Sequence, residues 1–390
     1  MIHLSPGLRA MQAYPFEQLD HAVAAVRDAG HEVFDLGAGD PREETPAFIR
    51  EALAAAIGPV SSYPRAAGLP ELRAAIADWI GSRFGARVDP DTEVLPTLGS
   101  KELVFSLAQD VLDPAAGKDL VLTTSPGYPV PERGGRWAGG EVLPMPLLEE
   151  NAFLPDLDAI TREQWDRAAV LWLNYPNNPT GATAPLAFLE DVAAQCRAAG
   201  VVFASDEAYS ELWFGEEPPA GALQVSDRTN VLVINTLSKR SSMTGYRSGF
   251  AAGDPVLIAA LKRLRPSTGV TPQEFVQAAS VAAWRDERHV EENRARYAAK
   301  RRVFLQVFAR HGLHVAASEA TFYLWVRVPG DRPSLAWALE LLDRTGVVVA
   351  PGSFFGPEGE GSVRLAMVPT LAACVRAAEA LDGVLSEVPA

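Results

Sequence analysis

Short apolar runs alternate along the chain with segments whose apolar positions recur every three or four residues. Residues 119–126 (DLVLTTSP), 169–176 (AVLWLNYP), 201–209 (VVFASDEAY) and 231–238 (VLVINTLS) read as strands. The stretch 88–100 (VDPDTEVLPTLGS) and the run SGFAAGD at 248–254 add two more. Runs such as VVFAS and VLVIN are nearly continuous in apolar residues, the pattern of strands covered on both faces. Between the strands, KELVFSLAQDVL (101–112) and APLAFLEDVAAQCRAAG (184–200) carry helical periodicity, and Gly200 ends the second. This alternation predicts an α/β fold whose large domain has a mainly parallel central sheet with helices on both faces.

Beyond residue 275 the order changes. A long charged helical stretch (287–312) is followed by HVAAS, TFYLWVRV, a helix over 334–346, VVVAPG, SVRLAMV and a last helix. That order predicts a smaller α+β domain over 276–390, distinct from a large domain over 36–275. A helix beginning at Phe16 (FEQLDHAVAAVRDAG) precedes the main alternation, and the segment 1–35 is expected to pack with the small domain.

Composition narrows the class. With 390 residues, 48% of them hydrophobic, the chain can bury a sizeable core. Asp and Glu (49) outnumber Lys and Arg (35), and the net charge of −14 argues against nucleic acid or an anionic membrane as partner. Cys196 and Cys374 support neither a disulfide framework nor a thiolate zinc site, and six scattered histidines make no metal cluster. No apolar stretch approaches the ~18 residues of a membrane span, and the first twenty residues lack a signal-peptide core, so a cytoplasmic location is expected. GxGxxG, a Walker loop and HExxH are all missing, which removes the usual signatures of dinucleotide binding, phosphoryl transfer and zinc hydrolysis.

The informative residues sit at strand ends. NYPNNPTG (174–181), SDEAYS (205–210) and TLSKRSSMTGYRSG (236–249) each follow an apolar run. In a parallel sheet such ends share one edge, where ligands bind. They would bring together an amide, a carboxylate with a phenol nearby, and a lysine. Pyridoxal phosphate needs that set: an amine for its aldehyde, an anion for the pyridine nitrogen, and donors for the ring hydroxyl. Taken singly, each residue has a plainer explanation. Lys239 reads as a solvated lysine, Asp206 as a capping carboxylate and Arg364 as half of a structural ion pair. Gly99-Ser100-Lys101 reads as an ordinary strand-to-helix turn, Asn178 as a turn former, and Tyr63, Tyr128 and Tyr209 as core aromatics.

Together with LGAGDPREETP (36–46) and RLAMV (364–368), these motifs resemble, in order and spacing, the fold-type I pyridoxal phosphate enzymes of the aspartate aminotransferase superfamily, the class I/II aminotransferases. The resemblance covers most of the chain. It implies that Lys239 joins the cofactor and then acts as general base, that Asp206 partners the pyridine nitrogen, and that Asn178 and Tyr209 bond the ring hydroxyl. By the same resemblance Gly99, Ser100, Lys101, Thr236, Ser238 and Arg247 hold the phosphate, and Tyr128 stacks on the ring. Arg364, with the backbone of Gly39 and with Asn178, takes the substrate carboxylate. Tyr63 reaches the phosphate of the partner subunit's cofactor, which makes a homodimer the expected assembly. A neighbouring cation, Arg240 or Arg247, would favour the neutral, nucleophilic form of Lys239.

The implied reaction is transamination between an amino acid and 2-oxoglutarate. Local resemblance in SDEAYSELWFGEEPPAGALQ and VVVAPGSFFGPEGEGSVRLAMV favours a succinyldiaminopimelate aminotransferase, acting in lysine biosynthesis with glutamate as the other amino acid. An LL-diaminopimelate, alanine or broad-range aminotransferase stands as the alternative, as does a C–S β-lyase on the same scaffold. No arginine for a distal carboxylate can be assigned; Arg65 and Arg265 are expected to be solvated.

Overall fold

The strand Ala168–Asn174 is buried at all seven positions, and its side chains feed two separate cores. Val170 and Trp172 join one apolar cluster, while Leu171 and Leu173 join the other. Its neighbours divide their side chains in the same way, as the period of two along a strand requires. The computed structural model describes residues 2–11, 17–330 and 332–386.

In chain order the first strands are β1 (Phe34–Asp35), β2 (Val94–Thr97), β3 (Leu120–Ser125), β4 (Glu141–Pro146), β5 (Ala168–Asn174), β6 (Val202–Asp206), β7 (Val231–Thr236) and β8 (Gly249–Gly253). Seven of them form one sheet in the order β2-β8-β7-β6-β5-β3-β4. All pairings are parallel except those of β8, which is antiparallel to both β2 and β7. Helices Pro70–Phe84, Leu186–Ala199 and Glu274–Trp284 cover one face, and Lys101–Val111 and Pro255–Thr268 cover the other. Each large apolar side chain so buried contributes about 1.5–3 kcal/mol. Mixed α/β architecture around a mostly parallel sheet is thus the observed fold. β4 (EVLPMP) was not foreseen from the sequence; it is an edge strand, where the missing N–H groups of Pro144 and Pro146 cost little.

The remaining strands are β9 (Val315–Ala316), β10 (Tyr323–Arg327), β11 (Val347–Val348), β12 (Ala350–Pro351) and β13 (Ser362–Ala366). An antiparallel sheet runs β12-β13-β10-β9, and β1 pairs in parallel with β11. A third core gathers Tyr297, Phe304 and Phe308 of the long helix Arg288–Arg310 with Leu324 of β10 and Leu381 of the helix Leu371–Leu385. Phe16, the start of the predicted N-terminal helix, lies outside the described residues; the helix is described as Glu17–Asp28, and its Leu19 packs with Leu342 and Val348.

The short helix Leu237–Arg240 after β7 is anchored from behind. Arg240 is fully buried, its guanidinium carbon 5.7 Å and 5.0 Å from the ring centroids of Trp79 and Trp284. It donates to the carbonyl of Ala283 at 2.8 Å and to the Glu287 carboxylate. Asn293 donates to the carbonyls of Lys239 and Arg240, both at 3.2 Å. Replacing Arg240 by Ala empties this slot and leaves Glu287 without its cation, so urea denaturation is expected to show a loss of about 2–5 kcal/mol.

Candidate functional site

Strands β5, β6 and β7 end side by side, with Asn174 in register with Asp206 and Asp206 with Ile234. Segments leaving these ends enclose a cavity of about 540 Å³. Asp206, the last residue of β6, lines it and is buried. Its carboxylate accepts from the amide of Ala208 at 3.2 Å but makes no ion pair among the described residues. Burial pushes its pKa up to about 7, against the opposing pull of the Ala208 amide and of Lys239. Lys239 faces the same cavity from the turn after β7 and donates from Nζ to the carbonyl of Gly39 at 2.5 Å. Burial lowers its amine to about 8; Asp40 opposes the shift, and the cations Arg364 and Arg247 add to it.

Arg364, in β13, reaches the cavity from the second sheet with 4% of its surface exposed. Its guanidinium donates to Oδ1 of Asn178 at 2.8 Å and to the carbonyl of Gly37 at 2.6 Å. The Tyr323 and Phe355 rings lie 4.2 Å and 4.6 Å from its central carbon, which fixes the plane of the fork. Asn178 is held in turn by its own amide, which donates to the Asn174 side chain at 2.9 Å. Tyr209 and Tyr323 place their hydroxyls 2.9 Å apart, and burial raises the Tyr209 phenol well above its ordinary value. Gly39 lies against this pair: a Cβ there would come within 2.0 Å of the Tyr323 hydroxyl, so the chain can pass only as glycine.

A second end of the cavity is built for an anion. Ser100 and Lys101 open the eleven-residue helix Lys101–Val111, whose first amides point outward. Gly99, at φ +68°, sits so close to Arg247 that a Cβ would meet a guanidinium nitrogen at 2.5 Å. Arg247 donates to the carbonyls of Thr244 and Leu98, which aims it at the helix start. Thr236 and Ser238 line the same end, although the Thr236 hydroxyl is engaged by the Ser238 amide at 3.1 Å and the Ser248 carbonyl at 3.0 Å. Tyr128 stands on the cavity wall. A phosphate fits the basic, amide-lined end, and a protonated ring nitrogen would relieve the desolvated Asp206 carboxylate. The donor set therefore suits pyridoxal phosphate.

Two expectations change. Arg240 does not act on the Lys239 amine: it points away into the tryptophan slot, and the nearby cations are Arg364 and Arg247. Arg265 is not solvated; it is buried because Glu102 pairs with it at 2.7 Å and the Val270 carbonyl accepts a second bond. Tyr63 lies outside the cavity of its own chain, with its side chain fully exposed. Tyr323 was not singled out from the sequence; its period-two placement in TFYLW puts it on the face shared with Trp325, which nothing in the sequence alone marks as the site. Asp20 and Arg27 at the cavity rim were also missed.

The depressed amine has a direct consequence. In the cofactor-free protein Lys239 is charged below about pH 8 and neutral above it, well under its ordinary 10.5. Acylation of Lys239 by an amine-directed reagent, followed by mass spectrometry of the labelled peptide, is expected to rise up to about pH 8 and then level off. A surface lysine goes on gaining reactivity to about pH 10.

Comparison with known proteins places this architecture. The family model for aminotransferase class I and II matches residues 31–381. An LL-diaminopimelate aminotransferase of Nitratidesulfovibrio vulgaris is 40% identical over 369 residues, covering 93% of this chain and 94% of its own. The crystal structure of an aminotransferase from Neisseria meningitidis superposes with a TM-score of 0.91 at 36% identity, covering 98% of this chain and 100% of that one. A probable N-succinyldiaminopimelate aminotransferase from Thermus thermophilus does so with a TM-score of 0.87 at 30% identity, covering 94% and 99%. The chain belongs to the class I and II aminotransferases, a family of pyridoxal phosphate-dependent enzymes.

Proposed function

We propose that the protein transfers the amino group of a diaminopimelate-type amino acid to 2-oxoglutarate, with unmodified LL-diaminopimelate as the preferred donor. The carrying observation is one cavity that holds a depressed amine at Lys239, a buried carboxylate at Asp206 and an aromatic-framed guanidinium at Arg364. The 40% identical relative is named for the free LL form, which supports it over the N-succinylated compound expected from local motifs. The Thermus thermophilus structure, named for the succinylated compound, is the less similar of the two at 30%.

When bound, pyridoxal phosphate supplies an aldehyde for the amine and a ring that accepts the electron pair released at the substrate Cα. The side chains do the rest. Arg364 takes the substrate carboxylate through two parallel N–H···O bonds and so sets which Cα bond faces Lys239. Lys239 Nζ, as the neutral amine, removes the Cα proton. With the cofactor in place, Asp206 would hold a positive charge on the pyridine nitrogen, and Asn178 and Tyr209 would donate to the ring hydroxyl. Tyr128 covers one face of the ring. Gly99, Ser100, Lys101, Thr236, Ser238 and Arg247 hold the phosphate, and the Gly39 backbone borders the substrate carboxylate.

The active unit is a homodimer in which Tyr63 serves the partner's site. Its full exposure supports this, as does the company of the exposed Ile57 and Val60 on the same segment.

The first test adds LL-diaminopimelate, N-succinyl-LL-diaminopimelate, glutamate and alanine singly to the holoenzyme without an acceptor. Loss of the visible absorbance band is expected with LL-diaminopimelate and glutamate, and only weakly with alanine. A faster response to the succinylated compound would reverse the substrate order. Pyruvate and ammonia from a β-substituted amino acid, with no acceptor needed, would point to a lyase instead. Lys239→Ala should lower turnover by about 10⁴-fold or more, since covalent attachment and proton transfer go together. Subunit mixing tests Tyr63: Tyr63→Ala and Lys239→Ala chains, each impaired alone, should regain activity when combined, because each hybrid dimer has one complete site.

A further inference from the structure

The helix Glu17–Asp28 is seated on its apolar side. Leu19 packs with Leu342 and Val348, and Ala22, Val23 and Val26 lie against the same cluster, which fixes how the helix is rolled. Asp20, Val23 and Arg27 then line the rim of the cavity that holds Lys239 and Arg364. Their spacing of three and four residues keeps them on one face.

Asp20 and Arg27 are exposed, and among the described residues neither makes a hydrogen bond or an ion pair. Seven residues part them, about 10 Å along the axis, too far for a direct helical pair. A long side chain on a helix leans toward the N-terminus, a direction that lets an arginine at position 27 reach back toward Asp20. A gap is left between an anion and a cation. The other charged residues lining the same cavity are Asp35, Asp40, Lys101, Asp206 and Arg247 beside Lys239 and Arg364; Asp35 accepts from the amides of Gly37 and Ala38, and Asp40 pairs with Arg42 at 3.4 Å.

A seven-carbon ligand ending in a carboxylate alone would meet Arg27 but be repelled by Asp20, and one ending in an ammonium alone would meet the reverse. The five-carbon chains of glutamate and 2-oxoglutarate are two carbons shorter and end before this rim. An α-amino-acid head carries both charges and satisfies both residues. We infer that Asp20 and Arg27 form a distal subsite for the far α-amino-acid head of a long diamino dicarboxylic acid, Arg27 taking its carboxylate and Asp20 its ammonium. The inference rests on the diaminopimelate reading above and deepens it. It also gives that reading a physical basis for selecting the free donor: N-succinylation removes the ammonium and sets a second carboxylate before Asp20.

The test is steady-state kinetics of the holoenzyme with LL-diaminopimelate, N-succinyl-LL-diaminopimelate and alanine, for wild type, Arg27→Gln and Asp20→Asn. Arg27→Gln is expected to raise KM for LL-diaminopimelate at least tenfold more than for alanine, with a smaller change in kcat. Asp20→Asn is expected to raise KM for LL-diaminopimelate and lower it for the succinylated compound, shifting the ratio of the two at least tenfold. If either variant moves diaminopimelate and alanine in the same proportion, the subsite is overturned while the substrate reading stands. If wild type ignores LL-diaminopimelate, the substrate reading fails, and the subsite fails with it.

Discussion

Holding ionisable groups out of water, where desolvation favours their neutral forms, is the constraint on which this site depends. Desolvation is the largest cause that moves the Lys239 amine and the Asp206 carboxylate toward each other on the pH scale, to about 8 and about 7, and Arg364 and Arg247 add to the first shift. Neither shift needs an unusual partner; each follows from where a strand stops. β5, β6 and β7 are apolar enough to be covered on both faces, so the first polar residues beyond them surface inside a cavity and not in bulk solvent. The same apolar cover that makes the sheet stable makes its edge reactive.

Two sheets contribute to that edge, and the loop 36–46 ties them together. Gly37 accepts from Arg364 of the second sheet, and Gly39 accepts from Lys239 of the first. Further along, Glu43 pairs at 2.6 Å with Lys300, a fully buried lysine of the long helix Arg288–Arg310. Arg364 and Lys239 are therefore both referenced to one short backbone segment.

Strand ends and motif residues were legible in the sequence because they are dictated locally: an apolar run must stop somewhere, and a lysine, an aspartate and an amide at three such stops share an edge. The antiparallel insertion of β8 and the edge strand β4 were less legible, since direction and edge position are set by pairing and not by composition. Tyr323 escaped notice for a related reason. Its role comes from Gly39, nearly three hundred residues away, which has no Cβ and lets the phenol hydroxyl approach. Arg265 was misjudged because its partner Glu102 sits on another helix, and a charge is solvated or buried according to a contact that no local pattern encodes.

The seating of the N-terminal helix also has a consequence in time. Leu19 finds Leu342 and Val348 only after most of the chain has been made. At a synthesis rate of about 5–20 residues per second, a gap of about 320 residues leaves that helix without its packing partner for roughly 16–65 s. During that interval Leu19 lacks Leu342 and Val348, and Arg364 has yet to be made. Every strand of the seven-stranded sheet, ending with β8 at Gly253, is therefore synthesised before the residues that seat this helix and before Arg364.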